Sequence, residues 1–251
     1  GCFRDLGFWR TRCREMHMRR IYPMMTGFLA NSQVVKDHFV AHDRIDPNKI
    51  QVIYNGVDAT RLPFVAHEGP TVDIGIVGNL NRRVKRTDLF IEAAGALAVE
   101  HPEITWHILG DGGFREEFQT RADQLGLGER MVFAGRVADV PAYLEKLQVG
   151  VNCSDSEGFS NALLEYMFKG CAAVATEVGG NAEALTHGET GLLVPPDDAP
   201  ALAAAIKQLV DNVPLRRRLA GNARRFAEKS FNWDRCVAAH EAVYRGYKLT
   251  T

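Results

Sequence analysis

Glu157 and Glu165 stand with seven residues between them in the segment DSEGFSNALLE, residues 155–165. Gly158, Phe159, Ser160 and Asn161, just after the first acid, are turn and helix-start types. A helix beginning there leaves its first N–H groups without internal partners. That end carries partial positive charge and is a natural seat for phosphate. A carboxylate beside phosphate is costly, so the two acids suit another part of a ligand. An ionised carboxylate accepts from two neighbouring hydroxyls at once, which fits a sugar or a ribose. On spacing alone, the same residues also describe a capping acid followed by a solvated helix glutamate.

A second group, GNLNRRVKR at 78–86, crowds Arg82, Arg83, Lys85 and Arg86 into one loop. Arginine neutralises a diphosphate through paired N–H groups, lysine as a point charge. A solvated basic turn has the same composition. A sheet edge shared with the segment at 155–165 is what favours phosphate. Other chemistries find no support. There is no GxxxxGK[ST] loop, GDGG at 110–113 is not GxGxxG, and no Asp-x-Asp offers a metal-held nucleotide sugar. His38 and His42 are four apart without an HExxH pattern and read as helix surface.

Both groups depend on the elements that carry them. From residue 72 onward the pattern is strand, loop, helix, repeated. Apolar runs at 72–77, 104–109, 131–134, 149–153, 171–176 and 192–194 predict buried strands. Segments near 85–100, 114–125, 140–147, 161–169 and 181–186 predict helices. Short apolar strands alternating with helices imply a parallel sheet covered on both faces, and right-handed crossovers make it a doubly wound α/β sheet. Ligands of such sheets bind beyond the carboxyl ends of the strands. Glycines follow those ends, at Gly78, Gly110, Gly135, Gly158 and Gly179, where backbone and ligand approach closely. Earlier in the chain, 27–30 and 49–54 read as strands and 32–41 as a helix that Ser32 caps, too few strands for a domain. Residues 198–250 read as three helices without a strand.

The 251 residues are 46% apolar and 24% charged, with a net charge of −1, which is ordinary for a globular protein and gives no global pull toward nucleic acid. No run reaches the roughly 18 apolar residues of a membrane span. The five cysteines form no CxxC pair and read as reduced thiols, which suits a cytoplasmic protein. The first twenty residues hold six arginines against two acids, with Phe8 and Trp9 interleaved. That segment suits either peripheral contact with an anionic inner membrane face or a helix packed on the rest of the N-terminal unit.

Several segments, in chain order, resemble the retaining glycosyltransferases of family 4, which have the GT-B fold. They are VIYNGVD (52–58), GNL (78–80) with Lys85, LGDG (109–112), FAG (133–135), Glu157 to Glu165, VGG (178–180) with Glu183, and GLLVP (191–195). The resemblance spans nearly the whole chain. It implies two Rossmann-like domains facing across a cleft, with the C-terminal one holding a nucleotide diphosphate sugar of UDP or GDP type. By that resemblance Glu157 binds hydroxyls of the donor sugar and Glu165 binds the ribose diol. Backbone amides near Phe159, Ser160, Asn161 and Ala162 meet sugar and diphosphate. Gly78 and Asn79 border the donor, Lys85 binds the diphosphate and steadies the leaving group, and Val137 meets the nucleobase edge through its backbone. The family places an arginine directly after the glycine and a lysine six positions after it. Here Asn79 takes the arginine position and Lys85 stands seven after Gly78, so Arg82 or Arg83 is expected to supply the charge.

The implied organisation is a remnant of the acceptor domain at 1–56, a donor-binding domain at 57–230, and a C-terminal helix at 231–251 that crosses back toward the N-terminal domain. Family members carry an N-terminal acceptor domain of roughly 150–200 residues, an ordinary domain size. The chain therefore reads as the donor half of a glycosyltransferase, with a separate N-terminal domain as an expected partner. The expected reaction transfers a sugar to an acceptor hydroxyl with retention. Cations stand in for a divalent metal, so neither metal nor cofactor is expected. Two other readings fit the same residues: a donor-binding half that is inactive alone and works as a subunit, and a nucleotide-sugar epimerase on this fold.

Overall fold

Ala172 and Val174 pack into one hydrophobic cluster while Ala173 and Ala175 pack into another. Alternate side chains of a strand point to opposite faces, so this strand is buried on both. The computed structural model describes residues 1–5, 12–67 and 72–246, with side chains described from residue 16 of the second segment onward. Phe8 and Trp9, the residues read as a membrane contact, lie outside the described residues.

Two parallel sheets form. The smaller has β1 (Cys2–Phe3), β2 (Phe28–Ala30) and β3 (Ile50–Val52) in that order, with helices α1 (Arg12–Ile21) and α2 (Gln33–Asp43) between them in sequence. Ser32 caps α2 as expected, its hydroxyl accepting from Val35 N at 3.2 Å. Phe3, Tyr22, Phe28, Val35, Phe39 and Ile50 form the core of this unit. The third strand, β1, was absent from the sequence reading because two residues carry no periodicity.

The larger sheet contains β4 (Asp73–Val77), β5 (Thr105–Leu109), β6 (Met131–Gly135), β7 (Val149–Asn152), β8 (Ala172–Thr176) and β9 (Leu192–Val194). Their order is β6-β5-β4-β7-β8-β9, and every pair is parallel. The helices are α3 (Thr87–Leu97), α4 (Arg115–Gln124), α5 (Val140–Leu144), α6 (Asn161–Lys169), α7 (Asn181–Ala184), α8 (Ala199–Asp211), α9 (Val213–Ser230) and α10 (Trp233–Gly246). Phe90 and Ile91 of α3 and Ile206 and Leu209 of α8 cover one face. Leu163, Leu164 and Met167 of α6 and Ala223 and Ala227 of α9 cover the other. This is the doubly wound α/β sheet the alternating pattern predicted.

The strand order fixes where a ligand can enter. The chain builds outward from β4 to β6, then returns to place β7 on the other side of β4. The loops after β4 and β7 leave in opposite directions and open a crevice between them. Tyr166 of α6 locks this pair from below: its hydroxyl accepts from Val77 N at 2.8 Å and lies 3.3 Å from Val151 O. The two units meet where the chain passes between them. Val57 N donates to Phe231 O at 2.9 Å, and Trp233 N donates to Val57 O at 3.0 Å.

Candidate functional site

The loops after β4 and β7 bring Lys85 and Glu157 together. Lys85 Nζ lies 2.5 Å from Glu157 Oε1, with the lysine side chain 24% exposed and the glutamate 11%. The same oxygen accepts from Ser154 Oγ at 2.7 Å and is 3.3 Å from Asn152 Nδ2. Oε2 accepts from no group among the described residues. Three donors thus fix one oxygen of a largely buried carboxylate and leave the other for a ligand.

Below this pair lies the N-terminus of α6. Ser160 caps it, with Oγ accepting from Leu163 N at 3.3 Å and from Asn152 Nδ2 at 2.7 Å. The N–H groups of Asn161 and Ala162 donate to no acceptor among the described residues. An open helix N-terminus of this kind favours an anion. Phe159 is buried against Tyr54 and Phe231, with ring centroids 5.1 Å away in each case, so its backbone rather than its ring faces the crevice.

The basic loop divides its charges. Arg83 forms a two-pronged pair with Glu117 at 3.0 and 2.8 Å and lies over the Phe114 ring. Arg86, held at φ +48°, meets Asp88, Asp155 and Asp197 at 3.1, 2.9 and 2.7 Å. These two arginines tie loops together. Arg82 and Lys85 instead line a cavity of about 130 Å³ with Glu157, Phe159, Arg4 and Asp5. Of the two arginines weighed from the sequence, Arg82 is the one beside Lys85.

Glu165 occupies a second cavity, of about 460 Å³, with Gly56, Arg61, Pro141, Asn161 and Trp233. Among the described residues its carboxylate receives no hydrogen bond, and burial pushes its pKa up. Gly78, Asn79, Arg83, Val137, Ser160 and Ala162 line neither cavity. Asn79 Oδ1 accepts from Asn81 N at 2.9 Å and shapes the loop. Val137 follows β6 at the far side of the sheet and packs on the second core.

Two of the loop glycines give room to neighbouring backbone. A Cβ on Gly110 would fall 1.8 Å from Gly78 O, and one on Gly179, at φ +50°, would fall 1.8 Å from Glu157 O. They let loops pack on one another, and the Gly179 contact supports the Glu157 backbone.

Sequence reasoning also missed how the units are joined. Glu183 Oε2 accepts from Gln33 N and Oε1 from Val34 N, both at 2.8 Å, at the start of α2. Tyr54 Oη donates to Glu183 Oε2 at 2.8 Å, and burial first, then this bond, pushes the Tyr54 pKa up to about 12. Glu183 was visible as part of a motif, but its partners lie far away in the sequence. Asn152, a polar residue ending an apolar strand, was the available signal for the Glu157 support.

Among the described residues, no group of three or more His, Cys, Asp or Glu side chains is placed to hold a metal ion. Four cysteines, Cys2, Cys153, Cys171 and Cys236, are free thiols. No helix among the described residues is long and apolar enough to cross a membrane.

Two parallel Rossmann-like sheets joined at residues 57 and 231–233, with a cation–carboxylate pair at the switch point of the larger, define the GT-B class. Residues 71–212 match the family model described as glycosyl transferases group 1, and residues 4–61 match glycosyltransferase family 4. The chain belongs to the group 1 glycosyl transferases. It is 32% identical over 209 residues to a lipopolysaccharide core biosynthesis mannosyltransferase, LpcC, of Rhizobium leguminosarum bv. viciae, covering 77% of this chain and 58% of that one. It is 32% identical over 184 residues to the Vi polysaccharide biosynthesis protein VipC/TviE of Salmonella typhi, covering 68% of this chain and 32% of that one. The chain thus spans about a third to three fifths of the length of these curated relatives. In fold it is similar to Anabaena HepE, solved in complex with UDP-glucose, with a TM-score of 0.87 at 22% identity, covering 98% of this chain and 71% of that one.

Proposed function

We propose that the crevice between the β4 and β7 loops holds a nucleotide diphosphate sugar and that the chain carries the donor half of a retaining glycosyltransferase. The observation that carries this reading is the Lys85–Glu157 pair above an open helix N-terminus, where among the described residues one Glu157 oxygen is unengaged and Glu165 accepts no hydrogen bond. In this reading Glu165 accepts from the ribose diol and Glu157 Oε2 accepts from donor-sugar hydroxyls. The Asn161 and Ala162 amides, Lys85 and Arg82 face the diphosphate. Val137 meets the nucleobase edge through its backbone, and Gly78 and Asn79 shape the loop that borders the donor. Residues 1–56 form the end of the acceptor-binding domain, 57–230 the donor domain, and 231–251 the segment returning toward the former.

The chemistry follows from charge. The bond from the anomeric carbon to the diphosphate oxygen breaks while the acceptor oxygen bonds to the same face of that carbon. The acceptor proton passes to the departing diphosphate. Negative charge grows on the diphosphate, where Lys85, Arg82 and the helix N-terminus stand already oriented. Donors fixed at developing charge are usually the largest catalytic contribution. Relatives named for polysaccharide and lipopolysaccharide synthesis support a sugar-transfer role, and a fold neighbour solved with UDP-glucose supports a nucleotide-sugar donor.

The test is product analysis with a panel of UDP-, GDP- and ADP-sugars, each with and without candidate acceptor sugars. Transfer requires a new glycoside whose anomeric configuration matches the donor. A new nucleotide sugar formed from donor alone would instead identify an epimerase.

A further inference from the structure

The first turn of α7 is built against the loop that carries Glu157. Gly180 N donates to Glu157 O at 3.2 Å. A Cβ on Gly180 would fall 2.2 Å from Gly158 O, so the two backbones meet with no room for a side chain. Asn181, the first residue of α7, is fully buried just beyond this contact.

The Asn181 side chain reaches the support of Glu157 through one intermediary. Its Nδ2 donates to Thr176 O at 3.1 Å and lies 3.4 Å from Asn152 Oδ1. Asn152 is the last residue of β7 and is 5% exposed. Its Oδ1 faces two donors, Asn181 Nδ2 and Ser154 N, each at 3.4 Å. Its Nδ2 faces two acceptors, Ser160 Oγ at 2.7 Å and Glu157 Oε1 at 3.3 Å. An ionised carboxylate only accepts, so the amide has one working orientation. A flip would set its oxygen against Glu157. Thr176 braces the same turn, with Oγ1 donating to Ser154 O at 2.6 Å.

As a space filler, Asn181 is an unfavourable residue. Its Oδ1 is buried and finds no donor among the described residues. A buried acceptor without a partner is destabilising, and native structures hold few of them. An apolar side chain would remove that cost, but it would also remove the donor aimed at Asn152. Ser154 N alone would then face the Oδ1 end. We propose that Asn181 is a positioning residue. It anchors Asn152 in the orientation that holds Glu157 Oε1 and the Ser160 cap, and so keeps Glu157 Oε2 in place for the donor sugar. That last clause rests on the nucleotide-sugar reading above; the anchoring of Asn152 does not.

The experiment uses the full chain, Asn181→Leu, Asn181→Ala, Asn152→Ala and the double variant that combines the two alanines. Asn181→Leu keeps a branched shape, and Asn181→Ala decides if leucine overpacks the site. Calorimetry measures UDP-glucose, GDP-mannose and ADP-glucose, with UDP, GDP and ADP beside them. The Asn181 variants should weaken the nucleotide sugar by about three- to tenfold, the scale of one neutral hydrogen bond, and leave the free diphosphate nearly unchanged. In the Asn152→Ala background Asn181→Ala should cost nothing further, because residues of one network do not add. Crystals of the unliganded parent and variant give a reading that needs no donor. Asn152 Nδ2 should sit within hydrogen-bond distance of Ser160 Oγ and Glu157 Oε1 in the parent and part from Glu157 Oε1 in the variant. If no probe binds the parent, the nucleotide-sugar reading falls and the crystals decide the anchoring. The proposal is overturned if Asn152 keeps both contacts in the variant crystals. It is also overturned if sugar and diphosphate affinities fall equally, or if the Asn181→Ala loss is undiminished in the Asn152→Ala background.

Discussion

Lys85 Nζ and Glu157 Oε1 lie 2.5 Å apart across the gap between the β4 and β7 loops, which joins two residues 72 positions apart in sequence. In the proposed reading a diphosphate entering the crevice competes for Lys85, and the sugar then meets a glutamate still held by Ser154 and Asn152. In that reading the pair is a preset form of the site, each partner serving a different portion of the donor.

Removing either partner should separate those portions. Lys85→Ala is expected to lower turnover by about 10²–10³-fold, roughly 3 kcal/mol of barrier, the scale of one lost oxyanion donor. It should also weaken binding of the free nucleoside diphosphate. Glu157→Gln should leave that binding nearly intact and weaken the intact nucleotide sugar. Titrating both ligands against both variants checks this; equal losses for the two ligands in Glu157→Gln would oppose it.

Glu165 should lower stability in a pH-dependent way. Its pKa is raised above the ordinary 4.5 by burial. Between the two values the folded chain keeps a proton that the unfolded chain has lost, so stability falls as pH rises through that interval. Above it the penalty is complete. Glu165→Gln should then raise stability at neutral pH by roughly 1 kcal/mol, the low end for an unpartnered polar group. That corresponds to about 2–4 °C in Tm for a chain of this size. The gain should vanish as pH falls below the ordinary carboxylate value. Thermal melts across that range decide, and a gain independent of pH would show that the carboxylate is not the cause.

Glu183 couples the two sheets through Tyr54 and the start of α2. Replacing it with alanine removes charge-assisted bonds worth roughly 1.5–3 kcal/mol each. Amide exchange at Gln33 and Val34 should accelerate in Glu183→Ala. In Glu183→Gln the Tyr54 pKa should fall from about 12 toward, but not to, its ordinary 10.0, because burial is the larger cause. An ultraviolet titration of tyrosinate, read as the difference between variant and parent, measures it. An unchanged titration would contradict the contact.

Gly179→Ala and Gly126→Ala separate backbone strain from site support. Both positions have positive φ, +50° and +70°, but a Cβ at Gly126 meets open space while one at Gly179 strikes Glu157 O. Each should lose about 1–2 kcal/mol from the left-handed backbone. Gly179→Ala alone should also weaken donor binding. Equal donor affinity in the two variants would mean that this glycine does not support the Glu157 loop.

The strand and helix rhythm was legible because apolar runs bounded by glycine carry a local signal. The span 161–169 was legible from helix-start residue types before it and Gly170 as a stop after it, and α6 runs Asn161–Lys169 with Ser160 as its cap. What escaped was non-local. The basic loop read as a neutraliser of diphosphate, with Arg82 or Arg83 supplying the charge, because the partners that hold Arg83 and Arg86 (Glu117, Asp155 and Asp197) are remote in sequence. The loop glycines read as room for a ligand, whereas Gly110 and Gly179 give room to neighbouring loops. Glu183 stood in a quoted motif without a role, since the helix it caps begins 150 residues earlier.

The most direct measurement is calorimetric binding of UDP, GDP and ADP to the unaltered protein and to Glu165→Gln. The account predicts that at least one nucleoside diphosphate binds the unaltered protein. It also predicts that Glu165→Gln weakens that binding by about tenfold or more, since a charge-assisted bond to a ribose hydroxyl is worth roughly 1.5–3 kcal/mol. Equal affinity in the folded variant, or no binding of any of the three to either protein, would contradict it.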